Sequence, residues 1–195
     1  MNLEDALEIV SYKLALKLGE AAHDDPVLCS QTIRNALSDK ESDTLRSIAA
    51  KEYMAATKMV NEHRKNFAKA QNERYLEENA NEPGIQTTQS GLQYRVVKKG
   101  EGPTPSEEDT VVVDYEGSLT CGKRFDSSFE RGEPSTFAVE KVIKGWQEGL
   151  QMMPKGSQFQ FFIPGELAYG ERGAGSDIPP HATLIFEVQL HDIVE

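Results

Sequence analysis

The sequence predicts an α+β fold, in which a helical amino-terminal half precedes an antiparallel β-sheet wrapped around one short helix. Of the 15 glycines and nine prolines in the 195 residues, only Gly19 and Pro26 precede Pro83. Helical periodicity dominates before that point, whereas short β-rich runs separated by turn residues follow it. We therefore expect a helical module at 1–60, the end of a long helix and a linker at 61–85, and a second domain at 86–195.

The amino-terminal half predicts three helices. Apolar residues recur every three or four positions from Leu3 to Leu18, which forms one face of a helix. Asp24-Asp25-Pro26 is typical of a second helix start, with a carboxylate cap and Pro in the first turn. A third helix is predicted from about Ser42 to Asn79, because no Gly or Pro interrupts that stretch.

The third helix changes character along its length. An apolar stripe runs from Leu45 to Val60, and mostly charged and amide residues follow from Asn61. A helix that is polar on nearly all sides is usually a bridge through solvent between domains. The first 60 residues make a thin core on their own, so packing of two such modules into a homodimer is favoured. The alternative is a monomeric three-helix cap that lies on the second domain.

The carboxy-terminal half predicts short strands and a single helix. The segment 119–123 is typical of a hairpin turn, in which Gly122 is free to take positive φ. The only helix expected here spans Trp146 to Met152. The strands are expected at Leu92–Val96, Thr110–Tyr115, Phe159–Ile163 and Thr183–Ile193.

Composition excludes several classes of function. The formal net charge of −11 argues against a general nucleic-acid binder, which needs clustered Lys and Arg. No apolar run approaches the roughly 20 residues that span a bilayer. The first residues lack a secretory signal, so we expect a cytoplasmic location, or a periplasmic one if the chain is a processed mature form. Cys29 and Cys121 are expected to be free thiols in a reducing compartment.

The sequence contains no recognisable metal or nucleophile motif. Its four histidines lack ligand spacing with one another and with the cysteines, so we expect neither a metal nor a cofactor. What remains is an apolar set with few polar groups, which is typical of a small-ligand pocket. This set lies in four segments: Val111-Val112-Val113-Asp114-Tyr115-Glu116-Gly117, Phe125-Asp126-Ser127-Ser128, Val142-Ile143-Lys144-Gly145-Trp146, and the stretch from Ile163 to Phe186 that includes Ala168-Tyr169-Gly170 and Ile178-Pro179-Pro180.

These ordered motifs closely resemble the FKBP-type peptidyl-prolyl isomerases, from about Gly91 to Glu195. The helical half is more loosely similar to the Mip-like bacterial members, in which an amino-terminal module dimerises and a long helix carries each catalytic domain. The resemblance implies isomerisation of X-Pro bonds in unfolded or proline-containing polypeptides, a homodimer through the amino-terminal helices, and macrolide inhibitors as candidate ligands. From the net charge and the lack of a long apolar run, we expect neither a nucleic-acid partner nor a membrane partner.

The resemblance also implies a role for each site residue. Trp146 would form the floor under the substrate proline, while Tyr169 and the Ile143 backbone N–H would donate hydrogen bonds to substrate carbonyls. Asp126 would be a hydrogen-bond acceptor held by its neighbours. Ile178 would line the flap over the substrate. The walls would be Tyr115, Phe125, Phe137, Val142 and Phe186.

Some alternatives stay open at the level of sequence. Each aromatic residue can simply be core, and Asp126 can be an ordinary turn cap. Ser135, Ala174 and Asp177 replace larger residues common in other members of the family, which bears on macrolide affinity and substrate preference. A competing function is a dimeric chaperone that holds unfolded chains and keeps only a weak or vestigial isomerase pocket.

Overall fold

In the computed structural model, residues 50–194 are described. Within them the order of helices and strands is as follows: α1 Ala50–Asn79, β1 Ile85–Thr87, β2 Gln93–Lys98, β3 Thr110–Leu119, β4 Arg124–Ser127, α2 Ser128–Arg131, β5 Ser135–Ala138, α3 Lys144–Leu150, β6 Gln158–Ile163 and β7 Leu184–Val194. The α+β class is confirmed for this part of the chain. The two predicted helices before residue 42, the predicted start of the third helix at about Ser42 and Cys29 lie outside the described residues.

All the strands belong to one antiparallel sheet, in the order β1-β2-β6-β7-β3-β4, with β5 paired to β3. Along β3 every second residue is buried, as expected for a strand with one face on a core. The same alternation runs through most of β7. Helix α3 lies against the buried face and completes the core with Val139, Met153 and the inward side chains of the sheet.

Two glycines allow α3 to lie close to the sheet. A Cβ atom at Gly145 would stand 2.4 Å from Ile163 Cγ2, and one at Gly149 would stand 2.6 Å from Phe161 Cε1. These separations are shorter than any real carbon contact, so a side chain at either position would push the helix away from the strand. Trp146 lies between them, only 4% exposed.

Several sequence predictions need correction in detail. Helix α3 begins at Lys144 and ends at Leu150, two residues earlier at each end than predicted. It is not the only helix of this half, because α2 forms after β4, capped by the Ser127 side chain at its start and by Gly132 in left-handed conformation at its end. Strand β3 continues to Leu119, beyond the predicted Tyr115. The short strands β1, β4 and β5 were not predicted.

Two predictions of local structure are confirmed. The segment between β3 and β4 is a hairpin turn, closed by hydrogen bonds from Gly122 N to Leu119 O and from Leu119 N to Lys123 O. Gly122 has φ of +82°, as a turn of this kind requires. Helix α1 ends at Asn79, the predicted residue.

The described chain divides into two compact units, with the boundary between Asn66 and Phe67. The second unit therefore contains the last turns of α1 as well as the whole sheet. Asn72 Oδ1 accepts a hydrogen bond from Thr183 N at 2.8 Å, and the Tyr75 ring lies 6.4 Å from that of Phe162. This contact explains why Phe162 is buried although it breaks the alternation of β6.

The junction between α1 and the sheet is polar at its buried end. Asn79 and Gln93 are 8% and 5% exposed, and their amides are joined by a hydrogen bond of 2.7 Å. Gln93 Nε2 also donates to Leu76 O at 2.8 Å. Buried amides need such partners, because an unsatisfied one costs the free energy of its lost hydration.

We expect Asn79→Ala to lower the free energy of unfolding of this unit by about 1–3 kcal/mol, because it leaves the buried Gln93 amide oxygen without its donor. Urea titration followed by the emission of Trp146, the single Trp of the chain, measures the change. Asn81→Ala is the matched control: it removes an exposed amide bonded to Glu77 O within the same helix end. Equal effects of the two substitutions would contradict this account of the junction.

Candidate active site

The buried face of the sheet opens into a pocket of about 490 Å³. It is lined by side chains from β3, β4, β5, β7, the segment between β5 and α3, α3 itself and the loop between β6 and β7. The lining comprises Tyr115, Phe125, Asp126, Phe137, Lys141, Val142, Ile143, Trp146, Tyr169, Ala174, Asp177, Ile178 and Phe186. All ten site residues predicted from the sequence are among them, although they are spread along the chain from Tyr115 to Phe186.

Trp146 lies at the centre of an aromatic cluster. The ring centroids of Tyr115, Phe137 and Phe186 lie 5.2, 5.7 and 5.2 Å from that of Trp146, at interplanar angles of 90°, 90° and 79°. Edge-to-face contacts of this kind are favoured because the positive edge of one ring meets the negative face of another. Three neighbours therefore fix the orientation of the indole from different sides.

A second aromatic pair extends the wall. The rings of Phe125 and Phe186 are 5.6 Å apart at 84°. Gly117 makes room for them, since a Cβ atom there would lie 2.6 Å from Phe186 and 2.7 Å from Phe125. The Gly that follows Tyr115 and Glu116 in the sequence motif is thus required by the packing of the pocket wall.

Asp126 is held by two hydrogen bonds at the edge of the pocket. The Tyr115 hydroxyl donates a hydrogen bond to Asp126 Oδ2 at 2.5 Å, and Arg131 Nη1 donates one to Asp126 Oδ1 at 2.5 Å. The Arg131 guanidinium also donates to the Tyr115 hydroxyl and to Ser135 Oγ, both at 3.0 Å, and stands 5.5 Å from the centre of the Tyr115 ring. This arrangement makes Asp126 a fixed acceptor and not a free base.

The charges of this network set the protonation of its members. Burial by itself would raise the pKa of Asp126, but the hydrogen bonds from Tyr115 and Arg131 and the positive charge of Arg131 outweigh it and hold the pKa below its ordinary value. Burial and the hydrogen bond to Asp126 raise the pKa of Tyr115. At neutral pH the carboxylate is therefore ionised and the phenol is protonated.

Three hydrogen-bond donors of the lining have no partner among the described residues, and one of them, the Trp146 indole N–H, is buried. Within the described residues the backbone N–H of Ile143 donates to no acceptor, although the Ile143 carbonyl accepts from Trp146 N at 2.8 Å and Gln147 N at 3.0 Å. The Tyr169 side chain is 41% exposed, and its hydroxyl likewise has no partner in this part of the chain. In an apolar pocket, the two donors at Ile143 and Tyr169 can orient the carbonyl oxygens of a bound peptide.

The segment before α3 is fixed by a side chain that sequence reasoning missed. Gln147 Nε2 donates to Val142 O at 2.8 Å and to Glu140 O at 3.0 Å. These bonds hold the chain that leads into Ile143 and so determine the direction of its N–H. Nothing in the sequence singled out Gln147, because a Gln on a short helix is ordinarily a solvated residue.

The flap over the pocket is a small closed loop. Ala174 N donates to Ile178 O at 2.8 Å, and Ile178 N donates to Ala174 O at 3.0 Å. Ile178 is thereby held against the pocket with 9% of its surface exposed. Ala174 and Asp177, noted in the sequence only as replacements of larger residues, are part of the lining. Arg131 and Lys141 were missed, since their contribution depends on which residues they face.

The described residues contain no group of three or more His, Cys, Asp or Glu side chains arranged to hold a metal ion. Cys121 is a free, exposed thiol in the hairpin turn. None of the helices between residues 50 and 194 has the length and apolar character needed to cross a membrane.

Comparison with known proteins matches each half of the chain to a family model. The FKBP-type peptidyl-prolyl cis-trans isomerase model matches residues 102–191. The model of the domain amino terminal to FKBP-type peptidyl-prolyl isomerase matches residues 8–96. The second match covers the region in which the long helix ends.

Individual relatives agree with these matches. The FKBP-type 22 kDa peptidyl-prolyl cis-trans isomerase of Escherichia coli is 54% identical over 125 residues, which cover 64% of this chain and 61% of that protein. The outer membrane protein MIP of Legionella longbeachae is 40% identical over 164 residues, covering 84% of this chain and 66% of that protein.

A solved structure extends the similarity to the fold. The crystal structure of FkpA from Escherichia coli has a TM-score of 0.70 at 37% identity, covering 94% of this chain and 88% of that one. This chain spans only about three fifths of the length of the 22 kDa relative, 61%. The chain belongs to the FKBP-type peptidyl-prolyl cis-trans isomerases, in the bacterial Mip-like subfamily that carries an amino-terminal domain.

Proposed function

We propose that this chain is a peptidyl-prolyl cis-trans isomerase that accelerates rotation about X-Pro bonds in unfolded or proline-containing polypeptides. The observation that carries the proposal is the aromatic pocket floored by Trp146, with unpaired donors at Tyr169 and Ile143. Membership of the family supports it. The reaction needs no covalent intermediate, so the pocket's few polar groups are sufficient.

The physical basis is a difference in solvation between ground and transition states. The planar X-Pro amide is stabilised by resonance, and rotation faces a barrier of about 18–20 kcal/mol. The planar form is strongly dipolar and well hydrated, whereas the twisted form has lost much of its charge separation. A pocket that excludes water therefore destabilises the planar form more than the twisted one. Each roughly 1.4 kcal/mol of that difference accelerates the reaction tenfold.

The residues would divide this work among them. The proline ring would rest on Trp146, which is 4% exposed and fixed by its aromatic neighbours. The Tyr169 hydroxyl and Ile143 N–H would each donate to a substrate carbonyl and hold the turn-like geometry of the twisted state. Ile178 in the flap would cover the substrate. Asp126, ionised and doubly bonded, would keep Tyr115 and Arg131 in place.

The chaperone alternative makes a different prediction about refolding. A protein that only holds unfolded chains slows the refolding of a client, whereas an isomerase accelerates a refolding step limited by X-Pro rotation. Refolding of a proline-limited client at increasing concentrations of this protein distinguishes the two. Macrolide inhibitors remain candidate ligands of the pocket. The location, cytoplasmic or, for a processed mature form, periplasmic, also remains a prediction.

We expect the full chain to accelerate the isomerisation of short X-Pro peptides, and Tyr169→Phe to lower kcat/KM by up to about tenfold. The lost hydroxyl is worth about 0.5–1.5 kcal/mol if it bonds the substrate. Tyr94→Phe is the control, because its hydroxyl bonds Gln86 on an exposed part of the sheet. A folded chain without activity would contradict the function, and equal rates for the wild type and Tyr169→Phe would remove Tyr169 from the mechanism.

The Asp126 network predicts how the fold responds to acid. The pKa of Asp126 is lower in the folded protein than in the unfolded chain, where it is about 3.9. Ionised Asp126 therefore stabilises the fold at pH values above about 3.9, and this stabilisation is lost as the pH falls through the folded pKa. Arg131→Gln removes a cause of the lowering, so the folded pKa rises and the contribution becomes smaller. We expect acid unfolding, followed by Trp146 emission, to occur at higher pH in this variant.

Arg172→Gln is the matched control for that titration. It removes the same charge from an exposed arginine that pairs with no carboxylate among residues 50–194. If the acid transitions of the two variants coincide, the effect comes from net charge and the role given to the Arg131–Asp126 pair is wrong.

Residues 1–60 are proposed as a dimerisation module, in line with the match of the amino-terminal family model to residues 8–96. We expect the full chain to sediment as a dimer at micromolar concentration. We expect the fragment 67–195 to be a monomer that works on short peptides but poorly on protein clients, because two linked sites raise the effective concentration of a held client. The fragment begins at Phe67 because the compact unit begins there. A monomeric full chain would mean that the apolar stripe from Leu45 to Val60 packs within its own chain.

A further inference from the structure

The charged residues of the pocket mouth are unequally neutralised. Three of the lining residues carry a charge at neutral pH: Asp126, Lys141 and Asp177. Whether the mouth attracts a cation or an anion depends on which of these charges is least closely neutralised by a counter-ion.

Both carboxylates have a cation in direct contact. Arg131 Nη1 lies 2.5 Å from Asp126 Oδ1, and Lys123 Nζ lies 2.8 Å from Asp177 Oδ1. Lys123 comes from the hairpin turn between β3 and β4, so the turn and the flap are joined at this point. The hydrogen bond and the charge of Lys123 lower the pKa of Asp177. Neither carboxylate therefore presents an uncompensated negative charge to a substrate.

Lys141 differs from them. Its counter-ion is the neighbouring Glu140, at 3.8 Å, and Glu140 is not part of the pocket lining. The Lys141 side chain is 77% exposed, which leaves the ammonium free to meet a ligand. Its backbone position is fixed, because Gln147 binds the carbonyls of Glu140 and Val142 on either side of it. Lys141 also directly precedes Val142 and Ile143 in the lining.

We propose that Lys141, the least closely neutralised charge of the pocket mouth, selects X-Pro segments that carry an acidic residue next to the proline. The inference rests on the proposed isomerase function and specifies its substrate class. It runs against the charge of the whole molecule, which at −11 would favour basic peptides. A preference for acidic peptides would thus identify a local effect at the mouth.

The test uses the full chain and tetrapeptides in which Glu, Gln or Lys stands beside the proline, in one series before it and in a second series after it. We expect kcat/KM for the Glu peptide to exceed that for the Lys peptide by about two- to fivefold in at least one series at low salt. The ratio should fall towards one at about 0.5 M NaCl, since both groups are exposed and screened. A ratio of one or below in both series at low salt would overturn the proposal.

Two variants separate the local charge from the overall charge. Lys141→Glu should invert the ratio, so that the Lys peptide becomes the better substrate. Lys98→Glu changes the net charge by the same amount as Lys141→Glu, from −11 to −13, at an exposed position of β2 outside the pocket lining. It should leave the ratio unchanged. Equal shifts in the two variants, or no shift in Lys141→Glu, would refute the role of Lys141.

A third variant tests the masking of Asp177. Lys123→Gln removes the counter-ion of this carboxylate, so the selectivity for the Glu peptide should decrease while the rate for the Gln peptide stays comparable. Selectivity that persists undiminished would contradict the charge balance described for the mouth.

The Gln peptide also distinguishes failure of the isomerase function from failure of the charge selectivity. If it is not accelerated at all, the isomerase function fails; if it is accelerated without charge selection, only the further inference fails.

Discussion

The close approach of α3 to the sheet is the constraint on which the pocket depends. Gly145 and Gly149 let the helix lie against Ile163 and Phe161 at a distance that no side chain would permit. Trp146 is thereby pressed against Tyr115, Phe137 and Phe186, three residues from three different strands. A rigid floor for the pocket follows from this packing, because three edge-to-face neighbours restrict the rotation of the indole. A small displacement of the helix would therefore shift the Trp146 indole and the Ile143 N–H together relative to Ile178 in the flap.

Electrostatics complement this packing by keeping free charge out of the apolar part of the site. Asp126 is a carboxylate beside an aromatic pocket, and it is tolerated because Tyr115 and Arg131 satisfy its oxygens. The same groups give it a depressed pKa, so its charge state is constant near neutrality. The charged groups Lys123, Asp177 and Lys141 at the mouth are exposed to solvent and therefore screened by salt, unlike the apolar part of the pocket.

The end of α1 shows how a polar helix can still be part of a folded unit. Its sequence after Val60 lacks an apolar stripe and predicted a bridge through solvent. Asn72, Tyr75 and Asn79 nevertheless contact the outer face of the sheet through hydrogen bonds and one ring contact. Amides can replace apolar side chains at such a junction because Gln93 and the Thr183 N–H offer them specific partners. Periodicity measures only apolar burial, so it does not detect a junction of this kind.

The sequence by itself determined the α+β class, the end of the long helix at Asn79, the hairpin turn at Gly122 and the ten residues that the pocket brings together. The first three follow from helical period and turn chemistry, which act within a few residues of the chain, whereas the ten pocket residues came from the resemblance to the family. Only the tertiary structure decided that Arg131 bonds Asp126, that Gln147 fixes the approach to Ile143, that Lys123 neutralises Asp177 and that Phe162 is covered by Tyr75. Each of these depends on which side chains face one another after strands distant in sequence have paired. A residue such as Arg131 or Lys123 has the same local sequence signal whether it meets a carboxylate or solvent, and the fold alone brings its partner to it.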